Sequence, residues 1–397
     1  MNIGVIVDNE YNNDKRVERE ADILKRAGHS VYVLCFGFGA KVYDGQEGIE
    51  ISRIRINRKL KDILFFFQNR LPAYERMWST RITRFIKEKN LDSIHVHDLY
   101  MSKAASEGIR DSGKKVSMVL DLHENYPFAV TSYNWSGGLV RNFLAKPALW
   151  QKKEREYLGY ADKIIVLSED YRDALTEKYP ELPPGMFRVI PNVPDIRIWQ
   201  NRNEAPGPGI TREGTSVVLY FGVIAERRGV FDVLEVYREL AAEKFPSVFL
   251  VIGPVDKRDR KRFFRLIKSE DLQYNIHYVP PIGFNELSSY LDITDICIAP
   301  FHRNPQHESG IANKIFDYMM GKKPLIVSDC KPQKKLVEKY DCGLVYADNP
   351  GMKDAIKELS TNPGMRARMG ENGYRAVMEE LNSDMIREPL ADLFSND

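Results

Sequence analysis

Short apolar runs, each closing on a polar residue, alternate with stretches of helical periodicity along most of this chain, and that alternation is its strongest constraint. Residues 2–7 form one run and end at Asp8. Residues 14–27 then place Val17, Ala21, Leu24 and Ala27 on one helical side before Gly28, and residues 30–35 form a second run. Two strands joined by a helix is a parallel pair with its crossover connection. The grammar continues through runs at 94–98, 118–121, 163–167 and 188–190. It restarts at 217–221, 248–252, 276–279, 296–299 and 343–346. The fold class expected is α/β, as two doubly wound Rossmann-like domains.

Length agrees, because 397 residues exceed what one core usually organises. Residues 201–216 contain Glu-Ala-Pro-Gly-Pro-Gly with almost no apolar pattern. The expected division is residues 1–195, a linker at 196–215, and residues 216–376, with a C-terminal helix at 377–397 returning to complete the first domain. A hydrophobic share of 43% with 29% charged residues is that of a globular protein, and a net charge of +2 gives no support for nucleic-acid binding. The basic residues between Lys257 and Lys268 read as a solvated helix face. Cys35, Cys297, Cys330 and Cys342 form no Cys-x-x-Cys pair, so buried thiols in a reducing cytoplasm are expected. The N-terminal run lacks the basic start of a signal peptide, and no apolar run approaches the ~20 residues of a membrane span.

Open α/β sheets keep their ligands beyond the carboxyl ends of strands, which directs attention to the polar residues there. In Ile94-His-Val-His-Asp98, His95 and His97 share one strand face at a spacing that metals accept. No third ligand stands nearby in sequence, and no metal is assigned. His123 and Glu124 follow the run at 118–121, and residues 125–138 are rich in Tyr, Trp, Asn and Gly, which suits a sugar ring. Gly37-Phe-Gly39 follows the second strand rather than the first, which excludes a dinucleotide fingerprint. Residues 53–71 join a basic half to Ile63, Leu64 and three consecutive phenylalanines. Two readings compete there: aromatics filling the first core, or contact with an anionic membrane surface.

The stretch Glu308 to Asp329 reads as a loop, a helix and a buried strand. Ser309 as N-cap, with Gly321 and Pro324 as stop signals, places the helix at 310–320. Ile311, Ala312, Ile315, Phe316, Tyr318 and Met319 then share a broad face and leave Asn313, Lys314 and Asp317 on the polar arc. A helix N-terminus opened by Gly310 suits a phosphate, Lys314 adds charge, and Asp317 can accept hydrogen bonds from a pair of sugar hydroxyls. An amphipathic helix with its polar side in water competes with that reading. The loop Gly222-Val-Ile-Ala-Glu-Arg-Arg-Gly229 runs from strand to helix and offers Arg227 and Arg228 to phosphate oxygens, against the reading of a surface turn.

The pieces Asn13-Asp-Lys-Arg-Val-Glu-Arg-Glu-Ala21 with Ala27-Gly-His29, His97-Asp98, His123-Glu124, Ala161-Asp162, Pro191-Asn192, Tyr220-Phe-Gly222 with Arg228-Gly229, and Asn313-Lys-Ile-Phe-Asp-Tyr318 with Gly321-Lys-Lys-Pro324 occur in a specific order and spacing. Over nearly the whole chain they resemble glycosyltransferase family 4 of the GT-B class. The resemblance implies two Rossmann-like domains facing each other across a cleft. It implies a retaining transferase that moves a sugar from a nucleotide diphosphate sugar to a saccharide or lipid-linked acceptor in cell-envelope polysaccharide or glycan assembly. Carried over by position, Arg228 and Lys314 neutralise the departing diphosphate with the amides around Gly310, Ile311 and Ala312, and Gly222, Arg227 and Ser309 belong to the same donor site. Asp317 holds the ribose hydroxyls, Pro281 and Ile282 line the base, His123 contacts the donor sugar, and Asp98 or Glu124 orients the acceptor. Fixed positive charge can stabilise the leaving phosphate, so no divalent ion or other cofactor is required.

Two departures stand out. Val223 occupies the position where the family often has arginine, and the usual pair of glutamates eight apart is replaced by Glu308 and Asp317, nine apart. Glu308 is therefore carried only as a loop residue within reach of the donor sugar. A non-catalytic sugar-nucleotide-binding homologue, or an epimerase or hydrolase of the same fold, are the alternatives. The expected location is cytoplasmic, peripheral on the inner face of the membrane if residues 53–71 touch lipid.

Overall fold

The computed structural model describes residues 1–12, 14–39, 47–132, 139–197 and 214–395. Asn13, the end of the loop after His123 (133–138) and most of the expected linker (198–213) lie outside the described residues. The chain divides into two compact units, Met1–Asn192 with Asp384–Asp397, and Val193–Ser383.

In the first unit, strands β1 (Asn2–Ile6), β2 (Ser30–Gly37), β3 (Glu50–Arg55), β4 (Ser93–His97), β5 (Ser117–Asp121), β6 (Lys163–Val166) and β7 (Phe187–Val189) form one sheet in the order β3-β2-β1-β4-β5-β6-β7. Every pairing is parallel, with Val5 opposite both Val33 and His95. Helix α1 (Lys15–Arg26) joins β1 to β2, and the Asp14 carboxylate caps it by accepting from the Val17 amide at 3.3 Å. Helices α2 (Arg58–Phe66) and α3 (Ala73–Lys89) lead from β3 to β4. On α3, Trp78, Ile82 and Ile86 are fully buried, and Trp78 packs on Phe36 with ring centres 4.8 Å apart. Truncating such an aromatic to alanine costs about 3–5 kcal/mol. The end of the chain returns to this unit, where Leu393 and Phe394 are buried and Lys163 Nζ donates to the Leu393 carbonyl at 3.0 Å.

The segment 53–71 divides by face. Leu64 and Phe65 pack on the core, and Phe65 meets Tyr74 and Tyr100 edge-on with ring centres 5.6 and 5.1 Å apart. Leu60 and Ile63 point outward, 50 and 55% exposed.

The second unit holds β8 (Ser216–Phe221), β9 (Ser247–Ile252), β10 (Ile276–Val279), β11 (Ile296–Ala299), β12 (Leu325–Ser328) and β13 (Gly343–Tyr346), in the order β10-β9-β8-β11-β12-β13 and parallel throughout. Its central strands are buried on both faces, which is why they read as unbroken apolar runs rather than alternating ones. All four cysteines are buried and free.

The helix expected at 377–397 is not continuous: Pro363–Glu379 ends in the second unit, and the return to the first begins at Asp384 with the short helix Arg387–Ala391. The start of another helix differs as well. The helix expected at 310–320 spans Asn313–Met320, and extended Ala312 (φ −70°, ψ 133°) occupies the cap position. Ser309 is no cap, because its Oγ donates to the Gln306 carbonyl at 2.6 Å. The cause is an Asn304 side-chain turn, whose Oδ1 accepts from the Gln306 and His307 amides at 3.0 Å each and keeps the chain out of the helix for longer.

Candidate functional site

In each sheet the connections reverse direction at one point, between β1 and β4 in the first and between β8 and β11 in the second. Ligands of open α/β sheets collect there, outside the carboxyl ends of the strands.

In the second unit the loop 222–229 leaves β8 at this point. Gly229 has φ +71°, and a Cβ on it would fall 1.6 Å from the Pro300 carbonyl oxygen, so only glycine lets the loop lie against the end of β11. That close approach brings Arg228 over Phe301, with the guanidinium 5.4 Å from the ring centre. Lys314, from the first turn of Asn313–Met320, comes to the same place, with Nζ 3.6 Å from the centre of the Tyr220 ring and 5.2 Å from that of Phe301. The helix is held to β8 by the Phe221 amide, which donates to Tyr318 Oη at 2.8 Å. Burial first, and then the charge of Arg228, push the Lys314 ammonium well below the usual lysine range, with Asp317 opposing. Burial lifts the Asp317 carboxyl to about 7 against the pull of Lys314. Two cations in a desolvated corner are suited to a polyanion, whose charge removes their mutual repulsion.

Gly222, Arg227, Arg228, Lys314 and Asp317 are thus gathered at one strand end, with 310–312 leading into the helix. Pro281 and Ile282 follow β10, on the same carboxyl side of the sheet but two strands from β8. Glu308 is already engaged: Oε1 accepts from Arg303 Nε at 2.9 Å and Oε2 from the Lys331 amide at 3.0 Å. His307 was not singled out from the sequence. Its Nδ1 lies 2.7 Å from the His302 carbonyl oxygen, its ring packs on Phe301, and burial pushes its pKa down to about 4, so a neutral imidazole borders the arginines.

In the first unit a cavity of about 400 Å³ opens at the switch point. Asp8 and Asn9 after β1, Asp98 and Tyr100 after β4, and Arg58, Lys61 and Asp62 from α2 line it. Asp98 has φ +72°, a conformation that costs a non-glycine residue about 1–3 kcal/mol and that the surroundings must enforce. Its amide donates to the Asp121 carbonyl at 2.9 Å, and Tyr100 Oη donates to its carboxylate at 3.1 Å. Asp8 accepts from Tyr74 Oη and lies 3.5 Å from Lys61 Nζ; burial, the leading cause, raises its pKa to about 6 while Lys61 opposes. Glu124 is half-buried on the loop beyond β5 and does not line this cavity.

His123 follows β5 with its side chain 21% exposed. Its Nε2 lies 2.9 Å from His97 Nδ1 and 3.2 Å from Asp121 Oδ2. The partners of His95 and His97 that sequence proximity did not show come from α1 and β5: Glu20 and Asp121 bring carboxylate atoms into a group within 4.8 Å. Arg16 brings a positive charge into this cluster, donating to both Asp121 oxygens at 2.7 and 2.8 Å and lying 3.0 Å from Glu20. The guanidinium thus pairs with the Asp121 carboxylate, while burial raises the pKa of Glu20 against the pull of Arg16. An Arg16/Glu20 pair four apart on the otherwise apolar side of α1 was the available signal, and it is easily read as a surface pair.

Comparison with known proteins adds the following. A family model described as "Glycosyl transferases group 1" matches residues 201–376, and one described as "Glycosyltransferase Family 4" matches residues 15–197. The alpha-D-kanosaminyltransferase of Streptomyces kanamyceticus is 28% identical over 247 residues, 61% of this chain and 62% of that protein. The capsular polysaccharide biosynthesis glycosyltransferase CapM of Staphylococcus aureus is 20% identical over 185 residues, 45% of this chain and 46% of its own. The chain thus spans about half to three-fifths of the length of these curated relatives. Among solved structures, a sucrose-phosphate synthase from Thermosynechococcus elongatus superposes with a TM-score of 0.74 at 16% identity, covering 99% of this chain and 98% of that one. Anabaena Alr3699/HepE in complex with UDP-glucose gives a TM-score of 0.67 at 13% identity, with 99% of each chain covered.

Proposed function

Because the chain belongs to the glycosyltransferases of group 1 and family 4, a retaining family of GT-B fold, we propose that it transfers a sugar, with retention, from a nucleotide diphosphate sugar to a saccharide or lipid-linked acceptor in cell-envelope polysaccharide or glycan assembly. The observation that carries this reading is the convergence of Arg228 and Lys314 at the β8/β11 switch point. The similarity to CapM and the UDP-glucose held by HepE support the process and the donor class.

On this reading the second unit holds the donor. Breaking the bond from the anomeric carbon to the diphosphate leaves negative charge on the departing oxygen. Arg228 and Lys314, fixed before the reaction, stabilise that charge without reorganising, and removing one such group costs about 10²–10³ in rate. Arg227, Gly222, Ser309 and the backbone at 310–312 complete the phosphate seat, Asp317 receives the ribose hydroxyls, and Pro281 and Ile282 line the base. Glu308, held by its hydrogen bonds to Arg303 and the Lys331 amide, keeps acceptor capacity for the donor sugar from the loop. His123 contacts the donor sugar in the reacting complex. The first unit holds the acceptor in the cavity at Asp8 and Asp98, where the strained backbone of Asp98 aims its carboxylate, and Glu124 borders the approach.

Lipid linkage of the acceptor has its own support. The polar side of α2 lines this cavity through Arg58, Lys61 and Asp62, while Leu60 and Ile63 on its other side are exposed. Leu71 and Phe143 are also exposed, and Arg70 joins them by donating to the carbonyls of Phe143 and Leu144. Exposed apolar side chains accompanied by Arg58, Lys59 and Arg70 suit an anionic membrane surface. No helix of the described residues is long and apolar enough to cross a membrane, so contact at the inner face is peripheral on this reading.

The test is to incubate the protein with nucleotide sugars and with saccharide and lipid-linked acceptors, and to read the anomeric configuration of the product by NMR. Retained configuration is expected. Inversion, or consumption of donor without any acceptor, overturns the proposal, the latter in favour of an epimerase or hydrolase.

A further inference from the structure

Behind His123 lies a buried chain of ionisable groups that no step of the transfer described above uses. Asp121, fully enclosed at the end of β5, is gripped by Arg16 from α1 through Nε to Oδ2 at 2.8 Å and Nη2 to Oδ1 at 2.7 Å. The same Oδ2 lies 3.2 Å from His123 Nε2 and 3.3 Å from His97 Nδ1. His95, fully buried, stacks near His97 with ring centres 4.3 Å apart, and its Nε2 lies 3.8 Å from Glu20 Oε2. Three elements, α1, β4 and β5, thus enclose the inner edge of one imidazole.

We propose that Asp121, clamped by Arg16, is a positioning residue that fixes the His123 ring with Nε2 inward and Nδ1 outward as an N–H donor, His97 closing the inner side. This rests on the reading that His123 contacts the donor sugar. A proton on Nε2 serves both of its near neighbours, Asp121 Oδ2 at 3.2 Å and, as acceptor, His97 Nδ1 at 2.9 Å, and leaves Nδ1 as the atom on the exposed side of the ring. In a neutral ring that Nδ1 would be an acceptor, and in an imidazolium it is a donor. The groups facing His123 decide between them: Arg16 and Glu20 from α1, His95, His97 and Asp98 from β4 and its end, and Asp121 from β5. Burial is the largest influence and opposes the charge, as does Arg16, but Asp121 and Asp98 outweigh both and raise the pKa to about 9. An outward N–H matches a hydroxyl oxygen of the sugar, and the clamp keeps that donor in one orientation through each turnover.

The experiment uses the full chain labelled with 15N at its seven histidines, the His123 signals being assigned by their loss in His123→Gln. In the wild type at pH 7.5, both His123 ring nitrogens are expected to carry protons. In Asp121→Asn the His123 midpoint is expected to fall by more than about one pH unit, and the alkaline limb of kcat to move down with it while KM for the donor changes less. A neutral His123 in the wild type, or an unmoved midpoint in Asp121→Asn, overturns the proposal. If Asp121→Asn does not accumulate as folded protein, the wild-type nitrogen pattern decides alone. If the midpoint falls and the kcat profile stays where it was, the clamp stands and the contact of His123 with the donor sugar is what fails.

Discussion

Lys314 holds its ammonium 3.6 Å from the centre of the Tyr220 ring, in the space that a side chain at Gly222 would otherwise enter. A cation in that place is costly while no anion accompanies it. The pKa of Lys314 in the folded protein lies below its unfolded value, so its contribution to stability is full at high pH and is lost as pH falls through the folded pKa. The ligand-free protein should therefore gain stability when the charge is removed. Lys314→Met keeps the apolar stem over Tyr220 and is expected to stabilise the protein by about 1–3 kcal/mol at pH 6, with a smaller gain at pH 9. Thermal melts at the two pH values check the sign; a gain larger at pH 9 contradicts it.

Nucleotide binding should carry a proton signature. A diphosphate beside Lys314 favours its charged form, so binding is expected to take up a proton. Asp317, with a pKa of about 7, releases one if it binds hydroxyls as a carboxylate, and this would mask the uptake near neutrality. At pH 8.5 Asp317 is already ionised and the uptake should stand alone. Calorimetry in buffers of different ionisation enthalpy measures it directly, and affinity should weaken as pH rises further.

The fold was largely legible in the sequence because both sheets are parallel and their central strands are buried on both faces, so these announce themselves as apolar runs with polar ends, whereas the half-exposed edge strand β3 does not. Arg228 was singled out from the loop that follows such a run, and Lys314 from the polar arc of an amphipathic helix. What escaped was set by tertiary contact. The start of Asn313–Met320 was misplaced because Asn304, not Ser309, organises the turn before it. Arg16, Glu20 and Asp121 were invisible as a cluster, since they lie on α1 and β5, separated by up to 105 residues, and nothing local marks them as buried. The partners of Glu308, Arg303 and the Lys331 amide, are recognisable only in the fold.

Asp8, in the cavity proposed to hold the acceptor, should trade stability for function. Its folded pKa of about 6 exceeds the ordinary carboxylate value, so the stability it contributes is present at low pH and is lost as pH rises toward and through 6. Asp8→Asn keeps an oxygen for Tyr74 Oη and is expected to raise stability at pH 7.5 by up to about 3 kcal/mol, with the difference closing toward pH 4. Turnover with the acceptor should fall at the same time. A variant no more stable at pH 7.5 than at pH 4, relative to wild type, contradicts this account.

The outer face of α2 predicts a lipid dependence. Ile63→Asp changes a side chain that is 55% exposed, so the fold should be unaffected, within about 0.5 kcal/mol. Co-sedimentation with vesicles containing anionic lipid is expected for the wild type, to weaken with added salt, and to be lost in Ile63→Asp. Equal sedimentation of the two proteins would remove this face from consideration.

The central claim is that the corner formed by Arg228 and Lys314 seats a nucleoside diphosphate. Titration calorimetry of the wild type and Lys314→Ala with UDP, GDP, ADP and TDP tests it most directly. At least one nucleotide is expected to bind the wild type, with affinity for the folded Lys314→Ala protein reduced by about 100-fold or more. Equal affinity in the two proteins, or no binding of any nucleotide to the wild type, would contradict the account.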